Sequence, residues 1–200
     1  MKSYSESSEH NKAVIAEVLR EVFSAPGSVL EIGSGTGQQA VYFSKIFPHL
    51  NWQPTDLAVE LPGIQEWIDE TPLPNLRNAR ALDVSESDWD LPKFDYVYSS
   101  NTTHIMAWTQ VEAMFRGIAK IMNHQAVFAL YGPFNYHGYA TCDSNQRFDL
   151  WLRARDPLSG LRDFDYLNKL AADHGMELLH DFAMPGNNRT LMWKSKCYYD

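Results

Sequence analysis

Cysteine is nearly absent from this chain. Two occur in 200 residues, Cys142 and Cys197, and neither belongs to a CxxC pair or a Cys/His cluster, so neither a disulfide framework nor a zinc site is indicated. A reducing, cytoplasmic setting is the expectation that follows. Long apolar runs are also missing. No stretch reaches the roughly 18 residues of a membrane span, and the opening MKSYSESSEHNK is polar, without the apolar core of a signal peptide. Positive charge is in deficit, with 17 lysines and arginines against 25 acidic residues and a net charge of -8. The basic residues are scattered and form no stripe that would neutralise phosphates, which argues against nucleic acid as a partner. Repeats and low-complexity tracts are absent too, and the length suits one domain over residues 1–200.

What is present centres on Val29 to Gly37, VLEIGSGTG. Val29, Leu30 and Ile32 read as a parallel strand buried on both faces, and Gly33, Gly35 and Gly37 allow a tight turn beneath a ligand before a helix begins. A dinucleotide fingerprint wants its third small residue five positions after the first glycine, and here that position is Gln38. Glu31 stands at the strand tip, where a carboxylate repels a pyrophosphate and attracts a cationic group, directly or through water. Asp56 ends the next strand 19 residues after Gly37, the distance at which an acidic side chain accepts hydrogen bonds from both ribose hydroxyls. Because nicotinamide and sulfonium cofactors share that device, Asp56 marks an adenosine cofactor without choosing between them, and a helix N-cap is its competing role.

Strand and helix signals alternate along the chain, the grammar of an α/β fold. Apolar residues recur at helical spacing from about Lys12 to Phe23, with Ser7 or Ser8 as the cap. A helix after the glycine turn ends at Pro48, and Asn51 to Asp56 is a strand. Ile64, Trp67 and Ile68 suggest a helix. Strands follow at Leu76 to Val84 and Phe94 to Ser99, a helix at Val111 to Met122, and a strand at Gln125 to Tyr131. Phe164 to His174 reads as a helix, and Met176 to Ala183 and Thr190 to Lys194 as two strands joined by the turn-like Pro185 to Asn188. Residues 132–160 form a long interval, too long for a mere connector, and are expected to supply a lid or substrate wall.

An acidic residue, any residue, then GxGxG resembles motif I of the class I S-adenosylmethionine (SAM) dependent methyltransferases. The resemblance extends through HNK at His10 to Lys12, WQPTD, LDV, SSNTTHI, FRG at Phe115 to Gly117, YGPF and MPGNNRTLMW, from about Ser7 to Lys194. Together these are similar to one methyltransferase-like family of unknown substrate. It implies a Rossmann-like three-layer sandwich with a seven-stranded, mostly parallel sheet, its last strand antiparallel and inserted beside the fifth. It implies SAM as cofactor, with Glu31 orienting the methionine amino group and Gly33, Gly35 and Gly37 admitting the cofactor. It also implies that Asp83, at the end of LDV, meets the adenine amino group, and that Asn101 reaches the methionine portion or the substrate. A turn or cap is the competing role for Asp83 and for Asn101.

Methyl transfer depends on in-line approach and exclusion of water, and a base is optional. If the acceptor must lose a proton, His104 is the candidate by type and place, with a structural histidine bonded to backbone as the alternative. Tyr131, Phe134, Tyr136, Tyr139, Phe148 and Trp151 either line an acceptor pocket or pack the insertion onto the sheet. Arg147 and Arg155 suit an acidic acceptor, but Asp143, Asp149, Asp156 and Asp163 lie near in sequence, so internal ion pairing is the favoured reading. After the fourth strand the chain reads Ser-Asn-Thr-Thr, unlike the Asn/Asp-Pro-Pro-aromatic sequence of adenine-type DNA methyltransferases. Thr141 precedes Cys142 where a covalent cytosine mechanism uses Pro-Cys. The reading is therefore methyl transfer from SAM to a small-molecule acceptor. The alternatives are a nicotinamide-dependent oxidoreductase and a noncatalytic cofactor-binding interaction protein.

Overall fold

The computed structural model describes residues 3–196; Cys197 lies outside them. In chain order the elements are α1 (Glu6–Val22), β1 (Gly27–Ile32), α2 (Gln38–Ile46), β2 (Leu50–Asp56), α3 (Leu61–Glu70), β3 (Arg80–Ala81), β4 (Phe94–Ser100) and α4 (Trp108–Ile121). There follow β5 (Met122–Gly132), β6 (Phe134–Tyr136), β7 (Tyr139–Ala140), α5 (Asp143–Arg155), β8 (Arg162–Asp163), α6 (Phe164–Asp173), β9 (Met176–Met184) and β10 (Asn188–Ser195). Seven strands form one sheet in the order β3-β2-β1-β4-β5-β10-β9. β1 pairs in parallel with β2 and β4, and β4 with β5, whereas β10 runs antiparallel between β5 and β9. The expected sheet, with its last strand inserted beside the fifth, is the observed one.

Strand alternation divides the core between the two faces. Leu30, Ile32, Val97, Phe128 and Trp193 face α4 and α6, while Val29, Trp52, Tyr98 and Met192 face the first three helices, against Ile15, Leu19 and Phe43. Both faces of the central strands are therefore apolar, which explains why β1 reads as an unbroken hydrophobic run but for Glu31.

Two expectations are corrected. The first helix starts earlier, at Glu6, and its cap is Ser5, whose extended backbone lets its hydroxyl accept from the Ser8 amide at 3.2 Å. The early turns are polar and half-exposed, so apolar periodicity cannot reveal them. The third strand shrinks from Leu76 to Val84 down to Arg80–Ala81, with one isolated bridge between Trp52 and Leu76. The Asn75 side-chain amide lies within 3.2 Å of the carbonyls of Ser44, Phe47 and Leu50, and the Asn75 carbonyl and Arg77 amide bond to the Trp52 backbone at 2.8 and 2.9 Å, so pairing with the sheet edge there is confined to that one bridge. Residues 132–160 hold elements of their own: β6 and β7 form a hairpin that joins β8 in a separate three-stranded sheet, and α5 lies between β7 and β8.

Candidate functional site

The carboxyl ends of β1, β2 and β4 open onto a cavity of about 1130 Å³, the position at which doubly wound sheets place their ligands. Its volume lies at the upper end of the roughly 300–1,000 Å³ of ligand pockets.

The floor begins with the glycine turn. The amides of Gly33 and Ser34 both donate to the Thr55 carbonyl at 3.0 Å, and the Gly37 amide closes the turn on Ser34. Gly33 has φ +74° and a Cβ there would collide with Thr102, whereas Gly35, at φ +58°, has open space where its Cβ would stand. Gly33 is thus required by its neighbour and Gly35 leaves room above the loop. Gly37 does not line the cavity; it backs onto Ile64 of α3, 3.0 Å from the Ile64 Cα to the position of a Cβ.

Asp56 secures this turn from the end of β2. One carboxylate oxygen accepts the Gly35 amide at 2.7 Å and the other the Leu57 amide at 2.7 Å, while the side chain remains on the cavity wall. A carboxylate has about four acceptor positions, so two stay open to hydroxyl donors. Asp83 also lines the cavity, between Leu82 and Val84, and accepts the Ser85 amide at 2.8 Å. Its turn role and its place at the site coexist.

Glu31 lies behind the wall. Strand alternation sends its side chain to the α1 and α2 face, where it is 2% exposed and accepts the Trp52 indole N–H at 2.7 Å. It is not among the cavity-lining residues. Burial pushes its carboxyl up to about 7, opposed by the Trp52 hydrogen bond, with Asp56 adding repulsion.

Beyond β4 the chain reverses through Asn101, which adopts a left-handed φ of +57°, donates its amide to the Tyr131 carbonyl at 2.9 Å and lines the cavity. His104 follows on the same wall, 6% exposed, its ring edge-on to Phe148 at 5.3 Å. Burial and then the charge of Arg162 depress its imidazole to about 4, so the ring is neutral near pH 7 and accepts protons weakly. Its carbonyl accepts from the Gly160 amide at 2.9 Å.

Sequence reasoning missed two sets of contributors. Ser5, the cap of α1, and Ser8 and Asn11 within it line the cavity, and Gln38 fastens that helix over the turn: its Oε1 accepts from the Ser5 amide at 2.6 Å and the Thr36 hydroxyl at 2.9 Å, and its Nε2 donates to Glu9 at 3.2 Å. The residue that spoils the dinucleotide pattern is therefore the strut of the N-terminal wall. Arg162 is the second omission. Buried to 8% exposure, it donates to the carbonyls of Thr103, Met106 and Leu158, tying the segment after β4 to the insertion. A lone arginine carries no sequence signal for such a role.

The insertion supplies the opposite wall through one face of α5: Asn145, Phe148, Trp151, Leu152 and Arg155, at helical spacing. Of the aromatics considered from sequence, only Phe148 and Trp151 reach the cavity. Phe134 and Tyr131 are buried in the core, Tyr136 stacks on Phe164, and Tyr139 is exposed. The ion pairing expected of Arg147 and Arg155 is not found among the described residues: Asp149 pairs instead with Arg153 at 2.9 Å, and Arg155 lies over the Trp151 ring at 4.6 Å. Among the described residues no group of three or more His, Cys, Asp or Glu could hold a metal ion, and no helix is long and apolar enough to cross a membrane.

Residues 2–195 match the family described as "Protein of unknown function (DUF938)". Among solved structures the chain is similar to an O-methyltransferase family protein from Burkholderia thailandensis, with a TM-score of 0.84 at 14% identity over 94% of this chain and 56% of that one. It is similar also to the mitomycin 7-O-methyltransferase MmcR, with a TM-score of 0.78 at 17% identity over 94% and 54%. A third likeness is to CalO1, a methyltransferase in calicheamicin biosynthesis in its SAH bound form, with a TM-score of 0.76 at 13% identity over 95% and 54%. These likenesses show a Rossmann-like methyltransferase fold. The chain spans little more than half the length of each of those proteins.

Proposed function

The chain belongs to the DUF938 family, and from that premise and the cavity above we propose that it transfers a methyl group from S-adenosylmethionine to a small-molecule acceptor. The observation that carries the reading is the Asp56 clamp on Gly35: an open glycine turn and an acidic strand end, locked together at the cavity floor. The solved methyltransferases of the same fold support it, the calicheamicin protein in its SAH bound form among them.

The residues present suit the cofactor. Gly35 leaves the space that a backbone-facing ligand requires, Asp56 retains acceptor capacity for two ribose hydroxyls, and Asp83 between Leu82 and Val84 offers an acceptor flanked by apolar surface for an adenine ring. Glu31 contributes negative potential from behind the turn, where a direct contact is closed by Trp52. The cofactor supplies an electrophilic methyl group on a cationic sulfur. The protein positions the acceptor against it and keeps water out: α1, strapped down by Gln38, and α5 close the two sides. His104 presents a neutral imidazole to the cavity and takes a proton from the acceptor only where the acceptor releases one readily.

The nicotinamide reading loses ground at Gln38, whose buried side chain fills the place where a dinucleotide site needs a small residue. Calorimetric titration with SAM, S-adenosylhomocysteine (SAH) and NAD in parallel tests the assignment. Saturable binding of the first two without NAD is the expected result. Binding of NAD alone overturns it, and binding of SAM with no turnover across an acceptor screen leaves a cofactor-binding interaction protein in its place.

A further inference from the structure

The acceptor side of the cavity has a chemistry of its own. Phe148, Trp151 and Arg155 follow one another at i, i+3 and i+7 along α5, so their side chains stack on one helix face. The Phe148 and Trp151 rings are 18° from parallel with centroids 5.8 Å apart, and His104 stands edge-on to Phe148. Together they make an aromatic shelf on the cavity lining, Phe148 and Trp151 near-parallel and His104 edge-on to them. Trp151 is 50% exposed, unusual for a tryptophan with packing as its only duty.

Arg155 sits at the end of the shelf, its guanidinium over the Trp151 ring and on the cavity lining. Among the described residues it forms no ion pair. Of the nearby acids, Asp149 holds Arg153 and accepts the Leu161 amide at 2.6 Å, and Asp156, itself on the cavity lining, accepts the Leu158 amide at 3.0 Å and the Ser159 hydroxyl at 3.3 Å. A guanidinium with its fork free beside an aromatic shelf selects a planar ligand that carries a carboxylate.

Resting on the methyl-transfer reading, we propose that the acceptor is a flat aromatic carboxylate, its ring against Phe148 and Trp151 and its charge on Arg155, methylated on oxygen. One carboxylate oxygen forms the new O–CH₃ bond as the sulfonium S–CH₃ bond breaks and its electron pair passes to sulfur. The products are a methyl ester and SAH, and no proton moves. This fits a site whose one imidazole is a weak base, since an acceptor that arrives as an anion needs none.

The test uses the whole chain saturated with SAH, titrated calorimetrically with benzoate, 2-naphthoate and indole-3-carboxylate, with the matching amides and hexanoate as controls. Arg155→Met and Trp151→Ala are compared with wild type, and SAH affinity in each variant reports whether the fold and cofactor half are intact. The expected result is binding of the aromatic carboxylates in preference to both controls, weakened about ten- to a hundredfold by Arg155→Met with SAH binding unchanged. Amides that bind as well as acids, or an Arg155→Met variant that binds the acids as tightly as wild type, overturns the proposal while leaving the cofactor assignment standing. Failure of wild type to bind SAH removes the methyl-transfer reading itself, and this acceptor assignment falls with it.

Discussion

Trp52 donates its indole N–H to the Glu31 carboxylate at 2.7 Å, with Trp52 fully buried and Glu31 2% exposed. The hydrogen bond only partly offsets the cost of an ion in that place, and the carboxyl is pushed up to about 7. Its folded pKa lies above the ordinary value of 4.5, so the folded state holds a proton that the unfolded chain releases. The stability that proton confers is complete below about pH 4.5 and is lost as pH rises through 7, a difference of roughly 3 kcal/mol. Glu31→Gln keeps an acceptor for Trp52 and removes the ionisation. Urea unfolding should find the variant equal to wild type near pH 4.5 and more stable by up to roughly 3 kcal/mol at pH 8; parallel curves would mean the carboxyl is not held where its burial implies.

The same substitution should act in the opposite sense on the cofactor. A cationic ligand in front of the turn favours the ionised carboxylate, so wild-type affinity for SAM should rise between pH 6 and 8, and Glu31→Gln should abolish that rise. Calorimetry at three pH values reads this directly. A pH-independent wild type would disconnect Glu31 from the cofactor.

How much of this was legible beforehand depended on whether the signal was local. The β1 run, its glycine turn and Asp56 lie within one βαβ unit, where hydrophobic continuity and residue spacing carry the information. Gln38 was legible only as a departure from a pattern; its role as a strut to Ser5 and Glu9 depends on α1 folding back, a contact across more than 25 positions in sequence. Arg162 serves three backbone carbonyls, and carbonyls leave no trace in a sequence. The short β3 failed for a related reason: Leu82 and Val84 are apolar because they are buried at the cavity, not because they continue a ladder.

Asp56→Asn isolates the clamp. An amide nitrogen in place of one carboxylate oxygen faces an N–H donor, either Gly35 or Leu57, and cannot accept from it. SAM affinity should fall about tenfold or more, with the thermal transition lowered only modestly because the side chain is partly exposed. An affinity equal to wild type in the folded variant would remove Asp56 from the cofactor site.

Gly33→Ala tests the turn through its neighbour. The new methyl meets Thr102 and must also adopt a φ of +74°, so a destabilisation of about 1–3 kcal/mol is expected. Adding Thr102→Ser removes the obstructing methyl while preserving the hydroxyl that lies 2.6 Å from Ser99 Oγ. The double variant should regain part of the loss but not all, since the left-handed backbone remains. Full recovery would assign the glycine to the collision alone, and no recovery to the backbone alone.

His104 carries the opposite linkage to Glu31. Its imidazole is depressed from 6.5 to about 4 by burial and by Arg162, so the folded state refuses a proton that the unfolded chain accepts. Stability is therefore complete above about pH 6.5 and is lost as pH falls toward 4, by roughly 3 kcal/mol. Because the Glu31 window, about pH 4.5 to 7, overlaps this one with the opposite sign, the two slopes nearly cancel in wild type, and His104→Gln should leave a denaturation midpoint that falls as pH rises through it. The rate profile separates the two functional cases. If the acceptor arrives as a carboxylate, kcat/KM on it should be level from pH 6 to 8 in wild type apart from the rise set by Glu31, and His104→Gln should alter KM more than kcat because only the wall beside Phe148 changes. A kcat that collapses in the variant, and returns as the acceptor is made more acidic, would make the imidazole the proton acceptor after all.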